Sequence, residues 1–229
     1  SPKKYDYLLR HFASWGFIVV ATRDSSVASG RTMLDALDRL TESQDDLRLR
    51  IDLERIAAAG HSQGAGGAMN AMMSAGGKIR TALAISLPGQ QFCRGEDCTK
   101  IPVAMPVGTS VFFISGEYDG LSPATQPGAT SPPRQSLKAY FDAVPPGLTK
   151  FRASVRGADH NDIQGSPHCG FLAFGCRRGV DGFLAYTTAW LVWQIGDGRS
   201  AATLFDRGAR RSIAAWQRAR GSPLSAGGT

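Results

Sequence analysis

The segment Gly60-His61-Ser62-Gln63-Gly64 is the most informative motif of this 229-residue chain. It has the form Gly-x-Ser-x-Gly, follows the apolar run 56–59 and precedes the small-residue segment 65–73. This order predicts a strand, a sharp turn and a helix, with the serine hydroxyl exposed at the end of a sheet. We expect both glycines to be required, because side chains would clash in the strained turn. The alternative is a glycine-rich turn with a surface serine, since so short a motif also arises by chance.

Short apolar strands alternate with helices on both sides of this motif. The predicted strands are 17–21, 55–60, 81–87, 111–115 and 151–155, and the predicted helices are 1–16, 29–48, 64–75, 132–143 and 180–195. Strands that are apolar throughout indicate a parallel sheet covered on both faces, and the alternation predicts a doubly wound α/β fold. We expect a single domain over 1–229, with no insertion long enough to form a lid and a frayed tail at 221–229.

A serine nucleophile needs a histidine base, which a carboxylate orients. His160 follows the predicted strand 151–155 directly, at the edge of the sheet where open α/β folds place their chemistry. We therefore predict His160 as the base, with His168 as the fallback. The backbone N–H of Gln63 is the predicted donor to the oxyanion of the tetrahedral intermediate.

The carboxylate is expected in the loop after the strand 111–115. This loop offers Asp119 and Glu117, of which Asp119 lies deeper and is followed by a glycine. Asp159 and Asp162 are too close to His160 in sequence to orient its ring, and we expect them to stabilise loop turns.

The four cysteines form two local pairs, Cys93 with Cys98 and Cys169 with Cys176. Both short spacings favour local disulfides, and neither matches a Cys-x2-Cys zinc site. Disulfides would place the protein outside the reducing cytosol. The alternative is four free thiols in a cytosolic enzyme.

The net charge is +7, with an isoelectric point near 9.5. Arginines concentrate after residue 176, and we expect most of them on the solvated face of a terminal helix, with attraction to an anionic surface or polymer as the alternative. The sequence contains no nucleic-acid-binding motif, and no apolar run has the length of a membrane span. We therefore predict neither a nucleic acid nor a membrane as partner, and leave the oligomeric state open.

The segment Gly116-Glu117-Tyr118-Asp119-Gly120-Leu121-Ser122-Pro123 is similar to the acid loop of bacterial polyester hydrolases, the cutinase and PET-hydrolase group. The Gly-x-Ser-x-Gly turn with its small-residue helix resembles that group too, and the resemblance extends over about 5–194. It implies the α/β-hydrolase fold, with Ser62 as nucleophile, Asp119 as acid and His160 as base. It also implies substrate contacts at Leu87, where the group often has an aromatic residue, and at Leu121.

These observations predict a secreted or periplasmic serine hydrolase that cleaves carboxylic esters, in particular polyester or cutin-like polymers, and needs no metal or cofactor. The alternatives are an esterase or depolymerase for an anionic polymer or small esters, and a non-catalytic binding protein with the same fold. Residues 1–16 do not resemble the strands that precede the first helix in this group. We therefore expect N-terminal strands, and a second oxyanion donor, upstream of Ser1.

Overall fold

The computed structural model of the protein describes residues 1–43, 46–99, 104–125, 136–165, 168–169 and 174–205. Within them, four parallel strands form one sheet in the order β1-β2-β3-β4. The strands are β1 (Ile56–His61), β2 (Ile79–Ile85), β3 (Ser110–Gly116) and β4 (Thr149–Val155). The α-helices are α1 (Asp6–Ser14), α2 (Arg31–Glu42), α3 (Asp46–Arg50), α4 (Gln63–Ser74), α5 (Leu137–Ala143) and α6 (Asp181–Gln194). Short 3-10 helices occupy Pro2–Tyr5, Gln90–Phe92, Gly95–Asp97, Asp162–Gln164 and Arg199–Leu204.

The sheet is covered on both faces, which confirms the predicted doubly wound α/β architecture. Strand β3 shows this directly: Val111 and Phe113 join one core cluster with residues of α4 and α5. Phe112, between them, points the other way and packs with residues of α1 and α6. Because every residue of β3 is buried, its centre is a run of four consecutive apolar residues, 111–114, instead of an alternating pattern.

Several predicted boundaries differ from those of the structure. The predicted helix 29–48 is two helices, α2 and α3, with Ser43 in the β conformation at the end of α2. Helix α5 begins at Leu137, after a Ser136 side chain that accepts the Ala139 N–H as an N-cap. The start predicted at 132 lies outside the described residues, as do the tail 221–229 and most of the predicted arginine-rich helix.

The predicted strand 17–21 is wrong for the described part of the chain. Phe17 and Val19 pack against the second core cluster, whereas Ile18 and Val20 are 48% and 51% exposed. This alternation is typical of a strand, but the backbone of the segment pairs with no described strand. A strand is defined by its hydrogen-bonded neighbour, so an apolar run alone does not make one.

Candidate active site

The turn between β1 and α4 has the sharp geometry that its sequence predicts. Ser62 lies at the N-cap of α4 with φ 56° and ψ −122°, outside the regions that L-residues favour. Gly60 is required, because a Cβ there would lie 1.9 Å from the carbonyl oxygen of Gly64. A Cβ at Gly64 would meet only Val27 Cγ2, at 3.7 Å, so the predicted steric need for this second glycine is wrong. The strain at Ser62 presents its hydroxyl at the carboxyl end of β1.

The three side chains predicted to act together lie in one hydrogen-bonded line. Ser62 Oγ is 3.1 Å from His160 Nε2, and His160 Nδ1 is 3.0 Å from each carboxylate oxygen of Asp119. His160 follows β4 and Asp119 follows β3, so both come from the same edge of the sheet as Ser62. The side chains of His160 and Asp119 are buried, which removes competing water from the contact between them.

Asp119 is held in its charged form. Burial is the largest single influence and would raise its pKa, but the hydrogen bond and charge of His160, together with the contacts of Ser86 and Ser122, lower it. Asp119 Oδ1 also accepts the backbone N–H groups of Leu121 at 3.0 Å and Ser122 at 2.8 Å. The Ser86 hydroxyl, buried at the end of β2, lowers the pKa of Asp119 further. These contacts fix both the charge and the orientation of the carboxylate.

Ser86 is a site residue that the sequence did not reveal. It has φ 52°, and among the described non-glycine residues only Ser62 and Ser86 have a positive φ. Its carbonyl oxygen accepts the Ser122 hydroxyl at 2.6 Å, which ties the end of β2 to the Asp119 loop. Its own hydroxyl makes no hydrogen bond of good geometry within the described residues, although it lies close enough to the carboxylate to affect its pKa.

The alternative base and acid are placed elsewhere. His168 is exposed and makes no hydrogen bond to Ser62 or Asp119. The Glu117 carboxylate is exposed and accepts the Gly157 N–H at 2.7 Å, so it supports the loop after β4.

Asp162 organises the loop that carries His160. Its buried carboxylate accepts the backbone N–H groups of Asp159, Arg177, Arg178 and Gly179 at 2.5 to 2.9 Å. The Asp159 carboxylate accepts the His160 N–H at 2.7 Å and binds Arg177 Nε at 3.1 Å. Both carboxylates therefore serve the loop backbone, as the sequence predicts.

Both predicted disulfides, Cys93–Cys98 and Cys169–Cys176, are formed. Gly175, next to Cys176, accepts the Asn161 N–H at 2.6 Å, so the second disulfide lies directly beside the His160 loop. Asp162, Cys169 and Cys176 are the one group of potential metal ligands that lie close together in the described residues. Their sulfur atoms are consumed by the disulfide and the carboxylate accepts N–H groups, so this cluster does not offer a metal site.

The two predicted substrate contacts differ in accessibility. Leu87 is only 2% exposed and packs in the core cluster beneath α4, so the structure contradicts a role in contacting substrate. Leu121 is 45% exposed in the Asp119 loop and stays a predicted substrate contact.

The backbone N–H of Gln63, at the start of α4, donates to no described acceptor, as is usual in the first turn of a helix.

Two residues outside the predicted set also reach the site. The imidazole of His61 lies with its ring centroid 4.7 Å from that of His160, and its Nε2 is 2.9 Å from the His160 carbonyl oxygen. Its Nδ1 is 2.9 Å from the hydroxyl of Tyr5, which is 56 residues away in sequence. No local pattern joins residues so distant, which is why the sequence did not indicate this contact.

The sequence is similar to two cutinases of Thermobifida alba. Cutinase est2 is 30% identical over 160 residues, which cover 67% of this chain and 47% of the relative. Cutinase est1 is 28% identical over 145 residues, which cover 59% of this chain and 45% of the relative. The chain thus spans about half the length of these curated relatives. No protein-family model matches the sequence.

The fold and these similarities agree with each other. The parallel sheet with helices on both faces, and the strained serine between β1 and α4, are features of α/β-hydrolases. Among the described helices, none combines the length and apolar character needed to cross a bilayer. Sequence similarity and fold together support a cutinase-like α/β-hydrolase.

Proposed function

We propose that the chain is a serine hydrolase of carboxylic esters, with Ser62 as nucleophile, His160 as general base and Asp119 as the acid that orients it. The observation that carries this proposal is the continuous line from Ser62 Oγ through both imidazole nitrogens to the Asp119 carboxylate, with contacts of 3.0 to 3.1 Å. Each contact is within the reach that proton transfer requires.

The reaction begins when Ser62 Oγ attacks the ester carbonyl carbon and its proton moves to His160 Nε2. The imidazolium that forms is stabilised by Asp119, which stays ionised. Negative charge develops on the carbonyl oxygen, and we assign its stabilisation to the backbone N–H of Gln63 at the N-terminus of α4, which has no acceptor among the described residues.

Collapse of the tetrahedral intermediate expels the alcohol, to which His160 Nε2–H gives the proton. The acyl group stays on Ser62 as an ester. Water then attacks this acyl-enzyme with His160 as base, and the carboxylic acid leaves with Ser62 restored. No step needs a metal or cofactor.

For the substrate, we propose cutin-like or synthetic polyesters, and for the location, the outside of the cell or the periplasm. The similarity to two cutinases supports the substrate class. The two disulfides support an oxidising compartment.

The net charge of +7 favours one second candidate, an esterase acting on an anionic polymer. Electrostatic attraction to such a polymer weakens as salt rises, because counterions screen it. If the rate of hydrolysis of a neutral polyester film does not change between roughly 0.05 and 0.5 M salt, the first candidate is supported over the second.

The proposed activity is tested by labelling with a fluorophosphonate probe and by hydrolysis of p-nitrophenyl esters of increasing acyl length. We expect the probe to add once, on Ser62, and Ser62→Ala to lose both labelling and at least about 10^4-fold in turnover. Absence of labelling in the folded wild-type protein would favour the non-catalytic alternative. Profiling on polyester films then separates polymer hydrolysis from small-ester hydrolysis.

A further inference from the structure

A network of hydrogen bonds reaches the backbone of His160. His61 Nε2 contacts the His160 carbonyl oxygen at 2.9 Å, and His61 Nδ1 contacts the Tyr5 hydroxyl at 2.9 Å. The Tyr5 hydroxyl in turn accepts the side-chain amide N–H of Gln164 at 3.2 Å. The same amide nitrogen donates to Asn161 Oδ1 at 3.1 Å, which closes the network onto the residue after His160.

The donors and acceptors of this network follow from its chemistry. A carbonyl oxygen can only accept, so His61 Nε2 must carry a proton. In a neutral ring with its proton on Nε2, Nδ1 is bare and can only accept, so the Tyr5 hydroxyl donates its proton to Nδ1 while its oxygen accepts from Gln164. Tyr5 therefore donates, and His61 Nδ1 accepts as the bare nitrogen of a neutral ring.

The charges around His61 favour the same neutral form. Desolvation by burial lowers its pKa to about 3, and the nearby charge of His160 lowers it in the same direction. The hydrogen bond to the His160 carbonyl and the charge of Asp119 oppose this shift but do not outweigh it. A neutral neighbour matters here, because a charged ring 4.7 Å from His160 would repel the imidazolium that ester cleavage requires.

We propose that Tyr5 and His61 are positioning residues, which hold the backbone of His160 through a neutral His61 imidazole with its proton on Nε2. This inference rests on the proposed function. Tyr5 fixes the tautomer of His61, His61 anchors the His160 carbonyl oxygen, and the imidazole of His160 is thereby kept within reach of Ser62. Like Asp119, His160 sits on a loop without regular secondary structure, so its position depends on side-chain anchors of this kind.

Two variants of His61 separate the two ends of its ring. Gln places an amide N–H close to the position of Nε2, so His61→Gln can still donate to the His160 carbonyl oxygen. Asn places its amide close to the position of Nδ1, so His61→Asn can still meet Tyr5 but does not reach His160. We expect His61→Asn to lower kcat by roughly 10- to 100-fold with little change in KM, the effect of a small misplacement of a catalytic group. We expect His61→Gln to recover most of the loss.

Tyr5→Phe removes the hydroxyl that fixes the tautomer, and Tyr7→Phe is its matched control. The Tyr7 hydroxyl makes no hydrogen bond within the described residues, although its side chain packs against the same core cluster. We expect Tyr5→Phe to lower kcat by roughly 3- to 10-fold, less than His61→Asn because the bond to His160 survives. Tyr7→Phe should leave kcat unchanged.

The tautomer is read directly by nitrogen NMR of the histidine side chains in the Ser62→Ala background, where activity plays no part. We expect His61 to be protonated on Nε2 alone at pH 7, and Tyr5→Phe but not Tyr7→Phe to shift the Nδ1 signal. A His61 protonated on Nδ1, or equal kcat for His61→Asn and His61→Gln at matched thermal stability, overturns the inference. If instead the wild-type protein fails to react with the fluorophosphonate probe, the proposed function fails while the tautomer measurement still judges the network.

Discussion

Replacing Asp119 with asparagine separates the charge of the acid from its shape. Asp119 Oδ1 accepts two backbone N–H groups, from Leu121 and Ser122, so the oxygen of the asparagine amide must take this position. The NH2 group then occupies the place of Oδ2, which is 3.0 Å from His160 Nδ1. An amide NH2 can only donate, so it opposes a proton on Nδ1 and favours a bare Nδ1 with the proton on Nε2.

This tautomer is the wrong one for catalysis. His160 Nε2 faces Ser62 Oγ at 3.1 Å, and once it carries a proton it cannot accept another from the serine. The expected loss in kcat is about 10^4-fold, the effect of an incorrect histidine tautomer in a serine hydrolase. At about 1.4 kcal/mol for each tenfold change, this corresponds to roughly 5 kcal/mol of lost transition-state stabilisation. KM should change little, because no substrate contact is removed.

Steady-state hydrolysis of p-nitrophenyl butyrate by Asp119→Asn and Glu117→Gln measures this directly. Glu117→Gln is the matched control, because it removes a carboxylate from the same loop and its amide oxygen can still accept the Gly157 N–H. We expect the control to stay within about 2-fold of the wild type, as an exposed group outside the site should. A loss in kcat below about 100-fold in Asp119→Asn, or a loss in Glu117→Gln that exceeds the loss in Asp119→Asn, would refute the assignment of the acid.

Three further predictions follow from single contacts. Gly60→Ala should prevent folding, because its Cβ would overlap a backbone carbonyl oxygen at 1.9 Å. Gly64→Ala should fold, because the nearest contact of its Cβ is at 3.7 Å. Thermal unfolding monitored by circular dichroism compares the two variants. Replacing the Cys169–Cys176 pair by serines should cost about 2 kcal/mol in stability and also lower kcat. The same change at the Cys93–Cys98 pair should affect stability alone. Urea denaturation measures the stability, and ester hydrolysis measures kcat. Buried His61 takes up its proton only on unfolding, so it should cost the wild type up to about 1.4 kcal/mol of stability per pH unit as the pH falls from 6.5 toward 3. Urea denaturation of His61→Gln should show a smaller slope, because His11 and Asp119, whose pKa values are also lowered in the fold, still contribute.

The sequence predicted the site wherever the signal was local. The Gly-x-Ser-x-Gly turn places a strand before it and a helix after it, and β1 and α4 lie where that motif predicts. Asp119 and His160 each follow a segment that the sequence predicts as a strand and that is one, so parallel strands bring them to one edge of the sheet. The structure brings these side chains into contact, and their catalytic roles stay predictions.

The features that the sequence did not predict depend on contacts between distant residues. The run 17–21 has the composition of a strand, but pairing with a neighbour decides whether it is one. Leu87 follows the end of β2, and only the packing of α4 and α5 shows that its side chain is buried. The bond from Tyr5 to His61 joins positions 56 residues apart, which no periodicity or spacing reveals.

The most direct test of Ser62 as the nucleophile is to trap the acyl-enzyme. Protein mixed with excess p-nitrophenyl ester, quenched in acid within the burst phase and digested, is analysed by mass spectrometry of its peptides. We predict one acyl group per chain on Ser62, formed in the wild type and absent in Asp119→Asn quenched at the same time. Ester turnover without an adduct on Ser62, or with the acyl group on another residue, would contradict it.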